Sequence, residues 1–182
     1  LSGTYGYERI EKNGKSSERY FNAAVLYDPL SLEKTWYGKM RLVPFGEWFP
    51  YENYFPIFQR LDFGESNFTP GYEYTMFSIK PERRAGYSDT SSGDGIEKMP
   101  VNFSVAICYE SIFADFIRKF SAKGAQFLVV ITNNNWFGRT TSLYQHAQIS
   151  VIRAIENRMG VAHCSNSGIS IFVDPYGRVT DK

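Results

Sequence analysis

Cys108 stands at the end of an apolar run, residues 102–107, and directly before the polar segment 109–111. A strand that runs into a turn fixes the backbone and projects the side chain at the junction, where reactive groups are commonly presented. A cysteine there has two readings, a nucleophile or a buried structural thiol, because free cysteine packs like a small hydrophobe. Glu110 favours the first reading: an acid two residues along, on the same strand face, is costly inside a core unless it is paired or working. Lys39, between Gly38 and Met40 in an apolar and aromatic segment, is either an edge-strand side chain reaching solvent or a charge held for chemistry. Glu47, behind the corner at Phe45 and Gly46, is ambiguous by itself. Convergence of the three would change both readings. A free thiol, with its pKa of ~8.5, is mostly protonated at neutral pH and needs a base, while a nearby cation favours first the thiolate and then the developing oxyanion.

His146 and His163 are the only histidines, which limits a Cys–His mechanism; a hydrogen-bonded structural role is the better account of each. Arg153 and Glu156, three apart on a helical stretch, read as an ion pair. Cys108 and Cys164 lack the close pairing of a zinc site, and no metal or cofactor is expected. A disulfide between them would consume the nucleophile, so both are taken as free thiols.

The elements that must position these groups are those of one domain, since 182 residues make one sizeable core. Hydrophobic residues at 43% exclude a disordered chain. Fifteen Phe, thirteen Tyr and three Trp exceed what such a core needs, so some should line a groove or face an apolar partner. A net charge of +1 without a basic run offers nothing to nucleic acid. The longest apolar stretches, such as 127–132, fall far short of the ~20 residues of a membrane-spanning helix. The chain begins without Met or a leader and is read as a processed chain or part of a longer one.

Alternation over 20–27, bounded by Asp28 and Pro29, predicts a strand and turn, and a second strand is expected over 35–42. Residues 45–58 carry Trp48, Phe49, Tyr51, Tyr54, Phe55 and Phe58 with two prolines, an aromatic loop; 83–98 reads as an exposed loop. Strands are expected over 102–107, 127–132, 161–165 and 168–173, helices over 113–123 and 142–159 ended by Gly124 and Gly160, and a turn over 174–177. Such interleaving is a layered α/β sandwich.

The run Tyr37-Gly38-Lys39-Met40-Arg41-Leu42-Val43-Pro44-Phe45-Gly46-Glu47 resembles the lysine motif of the apolipoprotein N-acyltransferases, and Ala106-Ile107-Cys108-Tyr109-Glu110 resembles their nucleophile motif. Asn133-Asn134-Asn135-Trp136-Phe137-Gly138 is similar to their Trp-Phe-Gly loop, and Arg153-Ala154-Ile155-Glu156 with Asn166-Ser167-Gly168 to the helix and strand that follow. Order and spacing agree over nearly the whole chain.

The resemblance implies a nitrilase-like α-β-β-α sandwich of the carbon-nitrogen hydrolase type, and a Glu, Lys and Cys triad. Cys108 would be the nucleophile and Lys39 the cation on the oxyanion, with Glu47 and Glu110 supporting and Tyr109 and Trp136 lining the lipid-facing pocket. It implies transfer of an acyl chain from a membrane phospholipid, through a thioester, to the α-amine of a diacylglyceryl-cysteine on an apolipoprotein. It also implies residence in the bacterial inner membrane with the catalytic domain facing the periplasm. The family's general-base Glu and its transmembrane helices would lie outside this chain, which is then the C-terminal portion of the domain and, alone, inactive. Two rivals stand beside this reading. One is a soluble nitrilase-type amidase, which fits Cys108 but not the aromatic run around Trp48; the other is a silent domain for assembly or lipid binding.

Overall fold

The computed structural model describes residues 1–12, 15–28, 33–48, 67–79, 99–135, 138 and 140–181. Two sheets form the frame. In the first, β1 (Ser2–Lys12) and β2 (Lys15–Tyr27) make a long antiparallel hairpin, and β3 (Lys34–Gly38) adds to β2. In the second, β4 (Phe77–Ile79), β5 (Val101–Ile107), β6 (Phe127–Thr132), β7 (Gly160–Ser165), β8 (Ile171–Val173) and β9 (Val179–Asp181) lie side by side in chain order. The central trio β5, β6 and β7 is parallel and the outer pairings are antiparallel. Central parallel strands are covered on both faces and therefore read as near-continuous apolar runs, as Phe127–Thr132 does.

The parallel strands require crossovers. A 3₁₀ turn over Cys108–Ile112 followed by α1 (Ala114–Ala122) joins β5 to β6, and α2 (Ser142–Asn157) joins β6 to β7. In α1 the buried residues Phe116, Ile117 and Phe120 fall on one stripe, while Asp115, Arg118 and Lys119 face outward. Burying each of those three side chains contributes ~1.5–3 kcal/mol. Gly124 leaves the helix at φ 99°, a conformation glycine adopts without a Cβ penalty.

Strand β3 stops at Gly38 instead of reaching residue 42, because Met40 N–H and Arg41 N–H donate to the Glu110 carboxylate (2.7 and 3.1 Å) rather than to a neighbouring strand. Helix α2 ends at Asn157, not at Met159: Arg158 takes the left-handed turn at φ 50°, with Met159 buried and Gly160 opening β7 opposite Phe127. Strands β1, β4 and β9 complete the sheets. The expected aromatic loop lies beyond Trp48 largely outside the described residues, as does the loop over 83–98.

One core cluster draws on both sheets and both helices, with Ala24 and Tyr37 from the first sheet, Phe103, Leu128 and Val161 from the second, and Phe116, Phe120 and Ala154 from the helices. Among the described residues no helix is long and apolar enough to cross a membrane.

Candidate active site

Cys108 follows the last residue of β5 and opens the 3₁₀ turn with φ 52°. A left-handed conformation costs a non-glycine residue ~1–2 kcal/mol, and it persists only where the surroundings over-determine it. They do so from three directions. Before the cysteine, Ile107 N–H donates to Glu110 Oε2 at 2.8 Å. After it, the Ser111 hydroxyl donates to the Cys108 carbonyl at 3.0 Å. From α2, His146 Nε2 reaches the same carbonyl at 3.2 Å and Ser111 Oγ at 3.0 Å.

Lys39 is placed with comparable care. Its N–H donates to the Asn22 carbonyl in β2 (2.7 Å), and its own carbonyl accepts from Gly71 N–H (2.8 Å). Gly71 passes so close that a Cβ there would overlap the Gly38 carbonyl. The ammonium is buried, the side chain only 1% exposed, and lies 2.8 and 2.7 Å from the two Glu47 oxygens. Glu47 is itself held by Asn22 Nδ2 (2.9 Å) and Val43 N–H (2.8 Å). A lysine that merely reached for solvent would show neither this burial nor this bidentate partner.

Glu110 is fully buried. Its Oε1 accepts from Tyr37 O–H at 2.7 Å and from Met40 and Arg41 N–H, and its Oε2 accepts from Ile107 N–H. Burial pushes this carboxyl above its usual range, opposed by the four donors, Ile107 N–H foremost. Three of the four are backbone N–H groups that cannot accept, so a proton on Oε1 would find only the Tyr37 hydroxyl and one on Oε2 would meet the Ile107 N–H. The carboxylate thus ties the residues after Lys39 to the residue before Cys108.

Lys39, Glu47 and Cys108 line one cavity of about 600 Å³, within the roughly 300–1,000 Å³ of small-ligand sites. Its other walls are Gly3, Thr4, Tyr5, Asn22 and Ala23 of the first sheet, Val43 and Gly46, and the C-terminal ends of β5 and β6 with Asn133 and Asn166 beyond them. The carboxyl ends of parallel strands are where open α/β sheets bind ligands. Asn166 fastens this rim, its Nδ2 donating to Asn133 Oδ1 (2.9 Å) and its Oδ1 accepting from Asn134 N–H (3.1 Å).

Glu110 and Tyr109 are not among the lining residues; Tyr109 packs edge-on against Phe113, centroids 5.1 Å apart. Trp136 lies outside the described residues. Cys164, like Cys108, is a free thiol. His163 is buried with Nδ1 2.8 Å from Ser150 Oγ, and Arg153 pairs with Glu156 at 3.3 Å, as the spacing predicts. Asn22, the tie from Ser111 to the cysteine carbonyl and the contact of His146 with it went unread in the sequence, and Asn133 and Asn166 were read there only as motif residues, not as cavity walls. Among the described residues no cluster could hold a metal ion.

The Carbon-nitrogen hydrolase family profile matches residues 2–182. The chain belongs to the carbon-nitrogen hydrolase family. Solved members of nitrilase type share its α/β fold: an amidase from Nesterenkonia sp. superposes with a TM-score of 0.57 at 20% identity, covering 97% of this chain and 56% of that one. The described residues of this carbon-nitrogen hydrolase supply both sheets and one pair of helices of the α-β-β-α sandwich. Curated relatives include the apolipoprotein N-acyltransferase of Chlorobaculum tepidum, 41% identical over 94% of this chain, and apolipoprotein N-acyltransferase 1 of Treponema pallidum, 34% identical over 97%. The chain spans 30% of the length of each.

Proposed function

We propose that this chain is the thiol-bearing part of an apolipoprotein N-acyltransferase, the C-terminal portion of its carbon-nitrogen hydrolase domain. The observation that carries the reading is that Cys108 and the buried Lys39 line one cavity. In this scheme the Cys108 sulfur attacks the ester carbonyl of a phospholipid. Lys39, held by Glu47, stabilises the tetrahedral oxyanion. Collapse breaks the ester C–O bond, and the lysophospholipid leaves as an alcohol with the thiol's proton. The thioester is then attacked by the α-amine of a diacylglyceryl-cysteine on an apolipoprotein, which forms the amide and returns the thiol. Two half-reactions sharing one covalent intermediate make a ping-pong scheme.

The general base in this proposal is a glutamate outside the chain, and Glu110 acts through the Lys39 loop rather than on substrate. Trp136 is assigned to the lipid-facing approach, whereas Tyr109 packs against Phe113 beside the nucleophile. The parent protein would sit in the bacterial inner membrane with this domain on the periplasmic side. Support comes from the relatives bearing that name at 41% and 34% identity, and from a cavity with apolar walls at Val43, Ile107 and Ile131. The test is mass spectrometry of the whole protein after exposure to phospholipid vesicles. An acyl adduct on Cys108, discharged by a diacylglyceryl-cysteine peptide, is expected; ammonia release from small amides without an adduct from phospholipid would replace this reading with an amidase.

A further inference from the structure

One wall of the cavity continues outward as an aromatic face that the acyl-transfer scheme leaves without a task. Side chains alternate along a strand, so Gly3, Tyr5, Tyr7 and Arg9 of β1 share a face with their partners across the hairpin, Ala24, Asn22, Tyr20 and Glu18. That face is the one turned to the site: Asn22 Nδ2 reaches Glu47 at 2.9 Å, and a Cβ on Gly3 would stand 3.4 Å from Ile131 Cγ2. Gly3, Tyr5 and Asn22 line the cavity, and the next pair outward is Tyr7 opposite Tyr20. The face then closes with an ion pair, Arg9 Nη2 to Glu18 Oε1 at 3.1 Å.

These rings are anchored yet uncovered. Tyr5 stacks on Phe68, centroids 5.4 Å apart and planes 14° from parallel, and Phe68 is tied to the site by its N–H, which donates to the Glu47 carbonyl at 3.0 Å. Tyr20 O–H donates to Glu18 Oε2 at 2.7 Å. Tyr5, Tyr7 and Tyr20 are still 57%, 71% and 50% exposed. Contiguous exposed rings that continue a cavity mark a binding surface, and a ring carrying a hydroxyl suits the boundary between hydrocarbon and water. The size of a phospholipid says what lies there. A cavity of about 600 Å³ is of small-ligand size, and a lipid with two long chains is larger than that class. A bilayer's hydrocarbon core of ~30 Å is two chains deep, so one chain extends about 15 Å. At ~3.4 Å per residue, Gly3 to Tyr7 spans about 14 Å. One acyl chain laid along this face from Ile131 therefore ends at the tyrosine pair, short of the Arg9–Glu18 ion pair.

We propose that Tyr7 and Tyr20, with Tyr5 stacked on Phe68, form an acyl-chain track that continues the cavity and selects long-chain donors over short ones. This rests on reading Cys108 as the nucleophile that takes up the acyl group. Tyr27, also exposed, stands on the opposite face of β2 by the same alternation and lies off the track.

The test compares two p-nitrophenyl esters on the whole protein, butyrate and decanoate, which differ only in the chain. With either, the Cys108 sulfur bonds to the carbonyl carbon as the ester C–O bond breaks, p-nitrophenolate leaves and the thiol's proton passes to solvent, so the p-nitrophenolate burst gives the acylation rate. Each buried methylene is worth roughly fourfold, so wild type should acylate faster from decanoate than from butyrate. Losing two or three methylene contacts in the Tyr7→Ser, Tyr20→Ser double variant should lower that decanoate-to-butyrate ratio by roughly 10–100-fold. Tyr27→Ser should leave the ratio within about twofold. If the double variant does not fold, each single variant should lose part of the ratio. A wild type without preference for decanoate, or a ratio that the Tyr7 and Tyr20 variants leave unchanged, overturns the proposal. An unchanged ratio with slower acyl uptake from phospholipid vesicles would instead make the pair a docking surface for the bilayer, and an unchanged ratio with slower discharge by a diacylglyceryl-cysteine peptide would make it an acceptor site. A ratio sensitive to Tyr7 and Tyr20 in a protein that takes no acyl group from vesicles would fail the acyltransferase reading and leave the track standing; no burst from either ester would fail both.

Discussion

Replacing Glu110 by glutamine changes one buried oxygen into an NH₂ group and tests the link between the two halves of the site. The better orientation keeps the amide oxygen on the side of Tyr37, Met40 and Arg41, which preserves three bonds. The NH₂ then faces Ile107 N–H, the donor that the carboxylate accepts at 2.8 Å. Two buried donors are left without acceptors, at ~1–3 kcal/mol each, so a loss of about 2–6 kcal/mol is expected. For a domain of this size that corresponds to a Tm lower by roughly 5–20 °C. Tyr37→Phe removes one donor and leaves the carboxylate three, so it should cost only about 1 kcal/mol. The assay is thermal unfolding of the whole protein with both variants side by side. Because glutamine mimics a protonated acid, a Glu110→Gln protein melting within about 1 °C of wild type would show that Glu110 is neutral in the fold and refute the four-donor carboxylate.

Lys39→Met should slow thioester formation by roughly 10²–10³-fold, and a near-normal burst would remove Lys39 from oxyanion stabilisation. Cys108→Ala and Cys108→Gly should both abolish the acyl adduct, but glycine relieves the strain at φ 52°, so it should melt higher than alanine by an amount reflecting ~1 kcal/mol; equal melting temperatures would deny the strain. Gly71→Ala forces a Cβ into the Gly38 carbonyl and should cost ~1–3 kcal/mol or more while displacing Lys39, so a variant with unchanged melting and burst rate would show that this close approach is dispensable. Burial, with the neighbouring His146, lowers the His163 pKa from 6.5 to about 4. Between those values the unfolded chain binds a proton that the folded chain does not, so this contribution is full above pH 6.5 and falls by up to about 3 kcal/mol as pH drops through 4. Urea unfolding across that range should show a shallower acid loss in His163→Asn, and identical slopes would contradict the assignment.

The motifs around Lys39 and Cys108, and the crossovers that carry them, were legible because each is local. Phe116, Ile117 and Phe120 repeat at helical spacing, and Phe127–Thr132 is apolar throughout, as a parallel strand covered on both faces must be. The role of Glu110 was only half legible. Its cost inside a core announced a partner, but the partners are backbone N–H groups of Met40 and Arg41 some 70 residues away, and a backbone donor leaves no mark on sequence. Strand β1 escaped for a related reason: Ser2–Lys12 has few apolar positions and takes its order from pairing with β2.

By itself, then, the order of residues determined the strands and helices with a clear local pattern, the chemical candidates and the family resemblance, since these depend on local periodicity and side-chain type. Only the tertiary structure decided that Lys39 is buried against Glu47, that Glu110 binds the Lys39 loop instead of facing the cavity, and that His146 lies against the Cys108 carbonyl. Those outcomes depend on hydrogen bonds between distant segments, whose donors and acceptors are common to nearly every residue and become specific only when the packed core sets their direction.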